Sequence, residues 1–214
     1  DNEKTLLGLN QCIQEELEKG KLIGISLKKM QSGASLSAKN VFGDMKFNKD
    51  YAGYEYSGKS IDGYIKLSGG TKIQFRSFGA GLGLTGFQGE VKGANANQGK
   101  IGLGPTNMIL RSHGAPEIPT NAASRVRTDP DGVFDEIAVG LKKYARLTNK
   151  QIEELKENEK IVTPKFLYSK LQITQLLNTL ESITNRDKRN QLVEDLYLYA
   201  SSQSRFSSAY YKLE

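Results

Sequence analysis

The amino-acid sequence predicts an α+β protein, with a mixed β-sheet core, an N-terminal helix packed on it, and a C-terminal helical unit. Three observations carry that expectation. Apolar residues at helical spacing open the chain, alternating runs punctuated by glycine fill its first half, and apolar stripes of helical period dominate after Pro116. The 214 residues suffice for one generous domain or two small ones, and 37% apolar with 25% charged residues excludes a disordered chain. The change of composition sets the expected boundary, with a mixed β-sheet domain over 1–118 and a Pro-rich linker and helical region over 119–214.

The first element is a helix, because Leu6, Leu9, Ile13 and Leu17 recur on one face and Gly20 stops it. Cys12 is the only cysteine, so it forms no intramolecular disulfide, and its setting among Leu9, Ile13 and Leu17 predicts a buried thiol rather than a nucleophile. "KLIGISLKKM" then reads as a strand, with Ile23, Ile25 and Leu27 on one face and Ser26 and Lys28 on the other. Further strands are expected around "NVFGDMKF", "AGYEYSG", "SIDGYIKL" and "TKIQFRSF". The last two, joined by Ser68-Gly69-Gly70, form a β-hairpin. The glycine-rich segment from Gly79 to Gly104 carries Glu90-Val91-Lys92 as a short strand between loops.

"GAPEIPTNAASRVRTDPDG" holds three prolines and reads as a linker or an extended arm. Helices follow: one over Val133 to Leu147, one from Thr148 with a capping box in "TNKQ", one after Pro164, and one to about Ala200. Ile173, Leu176, Leu177, Leu180 and Ile183 stripe the third, and Leu192, Leu196 and Tyr199 the fourth, which predicts mutual packing.

A net charge of +6 and a pI near 9.2 point either to a polyanionic partner or to a solvated lysine-rich surface. Between Thr71 and Arg111 stand Lys72, Arg76, Lys92, Lys100 and Arg111 against Glu90 alone, so the basic excess lies in the glycine-rich centre. Arg76, Lys92, Lys100 and Arg111 are the candidate nucleic-acid-binding residues, as contacts to phosphate. Phe75, Phe78 and Phe87 either stack on bases or, as strand phenylalanines more commonly do, fill the core. The single histidine, His113, excludes a multi-histidine metal site. The sequence has no apolar run of about 18 residues, and "DNEKTLLGLN" lacks the order of a signal peptide, so no membrane partner and no signal-dependent secretion are expected. The chain begins at Asp1 without a methionine, which fits a processed or truncated product.

The stretch "GFQGEVKGANANQGKIG" raises two chemical readings. A phosphate-cradling P-loop needs Gly, four residues, then Gly-Lys-Ser/Thr. Here Ala94 stands at the first position and Ile101 replaces the hydroxyl residue, so the pattern fails twice. Metal-dependent phosphodiester cleavage needs carboxylates to hold Mg²⁺ and a lysine to stabilise developing charge. Asp62 and Glu90 are the candidate metal ligands, and Glu90 and Lys92 alternate onto one strand face with Val91 opposite. A surface ion pair explains Glu90 and Lys92 equally well.

"KLIGISLKK" after an amphipathic helix resembles the third core strand of divergent PD-(D/E)XK nuclease-superfamily proteins of bacteriophages, in which Ser-x-Lys replaces Asp/Glu-x-Lys. "FQGEVKGANANQGKIG" and "YASSQSRFSSAYYKLE" are similar to segments of proteins of large tailed phages. The resemblance covers about a third of the chain. It implies a metal-dependent nuclease-like phage protein that acts on or binds DNA, with Mg²⁺ as cofactor and Ser26, Lys28, Glu90 and Lys92 as the catalytic set. It also implies the host cytoplasm or the virion as location. The chain departs from the pattern at Ser26, a poor metal ligand, and in lacking the upstream strand that supplies an Asp. Three readings follow: the first carboxylate precedes Asp1, or Asp62 and Glu90 supply the acids, or the site is dead. The rival class is a non-catalytic virion structural or DNA-binding protein, which adds self-association or contacts to other phage particle proteins. On the catalytic reading, Ser26 and Lys28 should share a face with Glu90 and Lys92, because both strands turn their apolar alternates to one core.

Overall fold

The computed structural model describes residues 6–22, 24–27, 35–39, 49–78, 84, 86–93, 99–201, 203 and 206–213. The fold is α+β. In chain order come α1 (Leu6–Glu18), β1 (Ile25–Leu27), β2 (Leu36–Lys39), β3 (Tyr51–Tyr56), β4 (Gly63–Leu67), β5 (Lys72–Ser77), β6 (Phe87–Lys92) and β7 (Lys100–Gly102). Then follow α2 (Leu103–Ser112), α3 (Ala122–Thr128), α4 (Pro130–Tyr144), α5 (Asn149–Lys156), α6 (Pro164–Ser182), α7 (Arg186–Ala200) and β8 (Tyr210–Leu213).

Strands β3 to β7 form an antiparallel sheet in sequence order, each step a local hairpin connection. The β4–β5 hairpin turns through Ser68-Gly69-Gly70, where positive φ at Gly69 and Gly70 supplies the left-handed backbone that a tight turn needs. Alternation then sorts the side chains. Ile65, Ile73, Val91 and Ile101 fall on one face and are buried, joined there by Phe75 and Phe87, whose rings stack at 5.8 Å. One row of this face reads Gly63, Phe75, Gly89, Ile101 in register. The alternation of small and large is steric: a Cβ at Gly89 would lie 2.6 Å from the Phe75 ring, and the side chain of Ile173 on α6 fills the space over Gly63.

Helix α6 lies against that face, and α4 packs on α6 where Gly140 meets Thr174. The helices begin where side chains satisfy free amides: Asp129 accepts from Gly132 N, Thr163 from Phe166 N and Asn185 from Lys188 N, with Pro130 and Pro164 in the first turns of α4 and α6. At α5 the capping box is complete, since Thr148 Oγ1 accepts from Gln151 N at 3.3 Å and Gln151 Oε1 from Thr148 N at 2.9 Å. Thr148→Ala is expected to lower stability by about 1 kcal/mol in urea unfolding; an unchanged midpoint would mean that α5 does not depend on its cap.

One hydrophobic core runs through both halves of the sequence, from Ile65, Phe75 and Val91 to Leu171, Leu196 and Phe206. The Pro-rich segment is packed rather than extended: it contains α3 and buries Ile118, Ala122 and Val126, and Asn107 clasps the Ile118 backbone through both amide atoms at 2.8 Å. Its prolines punctuate short elements instead of marking a free arm. A smaller mixed sheet has β8 between β1, to which it is parallel, and β2, to which it is antiparallel.

Two N-terminal expectations change. Cys12 is exposed, and so is Leu9, because the covered side of α1 centres on Asn10 and Leu17. At roughly 100° per residue, Cys12 falls on the opposite side of the helix. Ile25 in β1 is 60% exposed, so β1 does not turn that residue to the common core. Ile23, Lys28, the "NVFGDMKF" strand over 40–47 and the loop segments 79–83 and 94–98 lie outside the described residues.

Candidate nucleic-acid interface

The face of the five-stranded sheet opposite the core is polar, and its register orders it into rows. Lys66, Lys72 and Lys92 stand directly opposite one another on β4, β5 and β6. The next row runs Glu55, Tyr64, Gln74, Glu90, Lys100 from β3 to β7. Beyond it Arg76 pairs with Gln88, and Asp62, just ahead of β4, approaches Arg76 at 3.8 Å. The face carries five cations and three carboxylates. Their ion pairs are lateral: Lys72 donates to Glu55 at 2.7 Å, Lys66 lies 4.0 Å from the same carboxylate, and Lys92 reaches Glu90 at 2.6 Å. The Lys92 hydrogen bond holds the Glu90 carboxyl below the usual range, helped by Lys100 and Arg76 and opposed by partial burial.

Two aromatic rings belong to this face. Tyr64 is half-buried, with the Lys72 ammonium 5.6 Å from its ring centre and its hydroxyl accepting from Gln74 Nε2 at 3.2 Å. Burial, with Asp62 and Glu55 nearby, raises its pKa. The Phe78 ring has two cations near it, Arg76 at 4.5 Å and Lys100 at 5.2 Å from its centre. Thus Phe75 and Phe87 are core, and Phe78 is the phenylalanine of the three that the polar face holds. An open depression of about 450 Å³ lies between the lysine row and Tyr64, floored by Gln74 and edged by Gly70 and Gly93.

The sequence-derived candidates separate into groups. Arg76, Glu90, Lys92 and Lys100 share the polar face, and Asp62 joins them at its border. Arg111 does not belong to the sheet. It sits on α2 in a two-bond pair with Glu117, both bonds at 2.9 Å. Ser26 is in β1, opposite Lys212 of β8, so it belongs to the smaller sheet, and Lys28 lies outside the described residues. The expectation that Ser26 and Glu90 share one sheet face rested on Ile25 turning to the common core, and its exposure removes that basis. Asp62 and Glu90 sit two strands and one row apart, roughly 12 Å between backbones by standard sheet spacing. Each is engaged by a cation, so as arranged the two do not clasp one Mg²⁺ ion.

Tyr64, Lys66 and Glu55 were not among the candidates, although the alternation in "DGYIKL" already puts Tyr64 and Lys66 on one face. The chain matches no family model, no curated protein and no solved structure. Among the described residues, no helix is long and apolar enough to cross a membrane.

Proposed function

We propose that the protein binds DNA through the polar face of its five-stranded sheet, with the lysine row as the phosphate track. The observation that carries this is the register of Lys66, Lys72 and Lys92. Like charges directly opposite each other on neighbouring strands are destabilising. Glu55 and Glu90 offset part of that repulsion, and the remaining positive excess is what an anionic chain neutralises. Arg76 and Lys100 extend the same face, while Arg111, paired with Glu117, contributes little. This reading needs no turnover. The nuclease-like reading, with Mg²⁺ at Glu90 and Lys92 as charge stabiliser, uses the same face and enters the test.

Fluorescence anisotropy with labelled DNA should give a log–log salt slope between about −2 and −4, and replacing Lys66, Lys72 and Lys92 by glutamine should reduce that slope by about 2 to 3. An identical slope and affinity in the triple variant would overturn the phosphate track. Cleavage in Mg²⁺ or Mn²⁺ that Glu90→Ala abolishes, with the fold intact, would replace the binding-only reading by the catalytic one.

A further inference from the structure

The rows of the polar face distinguish two forms of nucleic acid, and the argument rests on the DNA-binding reading above. A sheet of five strands is roughly 19 Å across, wider than the major groove of about 12 Å, so this face cannot enter a duplex groove as a helix or a two-stranded ribbon does. On a duplex it would meet phosphates only. Its chemistry, however, changes from row to row. The lysine row carries charge, and the neighbouring row, roughly 7 Å further along the strands, carries the Tyr64 ring and the Gln74 amide. Beyond that lies Phe78 with its two cations.

An aromatic row beside a cationic row is what a single strand uses, since its unpaired bases expose faces for stacking while its backbone tracks the charge. The depression between Lys72, Lys92 and Tyr64 is open to solvent from above and has a mixed lining, with the Gln74 side chain at its floor hydrogen-bonded to the Tyr64 hydroxyl. Arg76 Nε and Gln88 Oε1, on cross-strand partners of this face, are buried and have no hydrogen-bond partner among the described residues. Glu55 and Glu90 border the lysine row on one side only, the side of the aromatic row. Their charge keeps phosphates on the lysines and off the rings.

We infer that this face takes single-stranded nucleic acid rather than duplex, with phosphates along Lys66, Lys72 and Lys92 and bases stacked on Tyr64 and Phe78. The strand then runs across the sheet, perpendicular to the β-strands. The two rings are unequal as tests. Phe78 helps to order Arg76 and Lys100, whereas Tyr64 keeps its ring in Tyr64→Phe and loses it in Tyr64→Ala.

The experiment compares anisotropy of an oligo(dT) probe of about twelve nucleotides with that of a blunt duplex of equal length, for the unmodified protein, Tyr64→Phe, Tyr64→Ala and Phe78→Ala. The single strand should bind at least about tenfold more tightly, Tyr64→Ala should lose about fivefold or more on the single strand alone, and Tyr64→Phe should bind as the parent does. A duplex bound as well as the single strand, or a Tyr64→Ala loss equal on both probes, would overturn the inference and leave DNA binding standing. No binding of either probe by the folded parent protein would remove both. Circular dichroism and melting of each variant keep a folding failure separate from a binding loss.

Discussion

Lys170→Met is expected to abolish a rise in stability that the unmodified protein shows between pH 6 and pH 9. Lys170 lies on α6 at a fully buried position, its ammonium donating to the Asp62 carbonyl at 2.8 Å and resting 4.1 Å from the Tyr56 ring centre. Loss of solvation lowers its pKa from 10.5 to about 7, against a smaller opposing pull from Asp62. Below pH 7 both folded and unfolded chains hold the proton, and the full cost of burying the charge is present. Between about 7 and 10.5 the unfolded chain binds more protons than the folded one, so stability increases with pH. Above 10.5 both forms are neutral and the cost is gone. The relief from pH 6 to 9 amounts to roughly 2–3 kcal/mol on this single group. Urea unfolding across this range, for the protein and the methionine variant, should diverge by that amount. Parallel curves would show that Lys170 keeps an ordinary pKa in the fold. The variant also frees the Asp62 carbonyl, so its absolute stability is a poorer readout than the pH dependence.

Lys170 illustrates what the sequence conceals. It follows Phe166 by four residues and precedes Ile173 by three, so helical periodicity alone places it in the buried stripe of α6. Nothing local supplies the Asp62 carbonyl that receives it, 108 positions earlier. The β4–β5 hairpin, by contrast, was legible because the turn glycines and both alternating strands lie within sixteen residues. The capping box at Thr148 and the Pro164 start of α6 were legible for the same reason. Part of the polar face could be read: alternation put Glu90 and Lys92 on one strand face, but register decided that Lys66, Lys72 and Lys92 line up. Register is set by the core side, where Phe75 must sit over Gly89. The place of β1 depended on β8 at the far end of the chain, a pairing with no local signal. Cys12 was misjudged because a stripe of leucines names a face without showing what covers it.

Gly99→Ala should destabilise the protein by about 3 kcal/mol or more, while Gly104→Ala, five residues on, should be neutral within about 0.5 kcal/mol. A Cβ at position 99 would collide with the carbonyl oxygen of Ala200, the last residue of α7, and would come within 3.0 Å of its carbonyl carbon. Both partners are backbone, so no rotamer change relieves the clash, and Ala200 is itself fully buried. Either β7 moves off α7 or the end of α7 unwinds. At Gly104, on the exposed side of α2, an added Cβ meets nothing within 4 Å. The contrast gives the Gly99-Lys100 pair a steric explanation independent of any nucleotide loop: glycine is needed for the helix end to reach the strand. It also bears on the polar face, because Gly99 directly precedes Lys100, which pairs with Glu90 across β6 and β7 and reaches Phe78. A displaced β7 should therefore weaken the proposed DNA binding at temperatures where the variant remains folded, whereas Gly104→Ala should leave it unchanged. Equal melting temperatures for the two alanine variants would mean that β7 and α7 do not make this close backbone contact in solution.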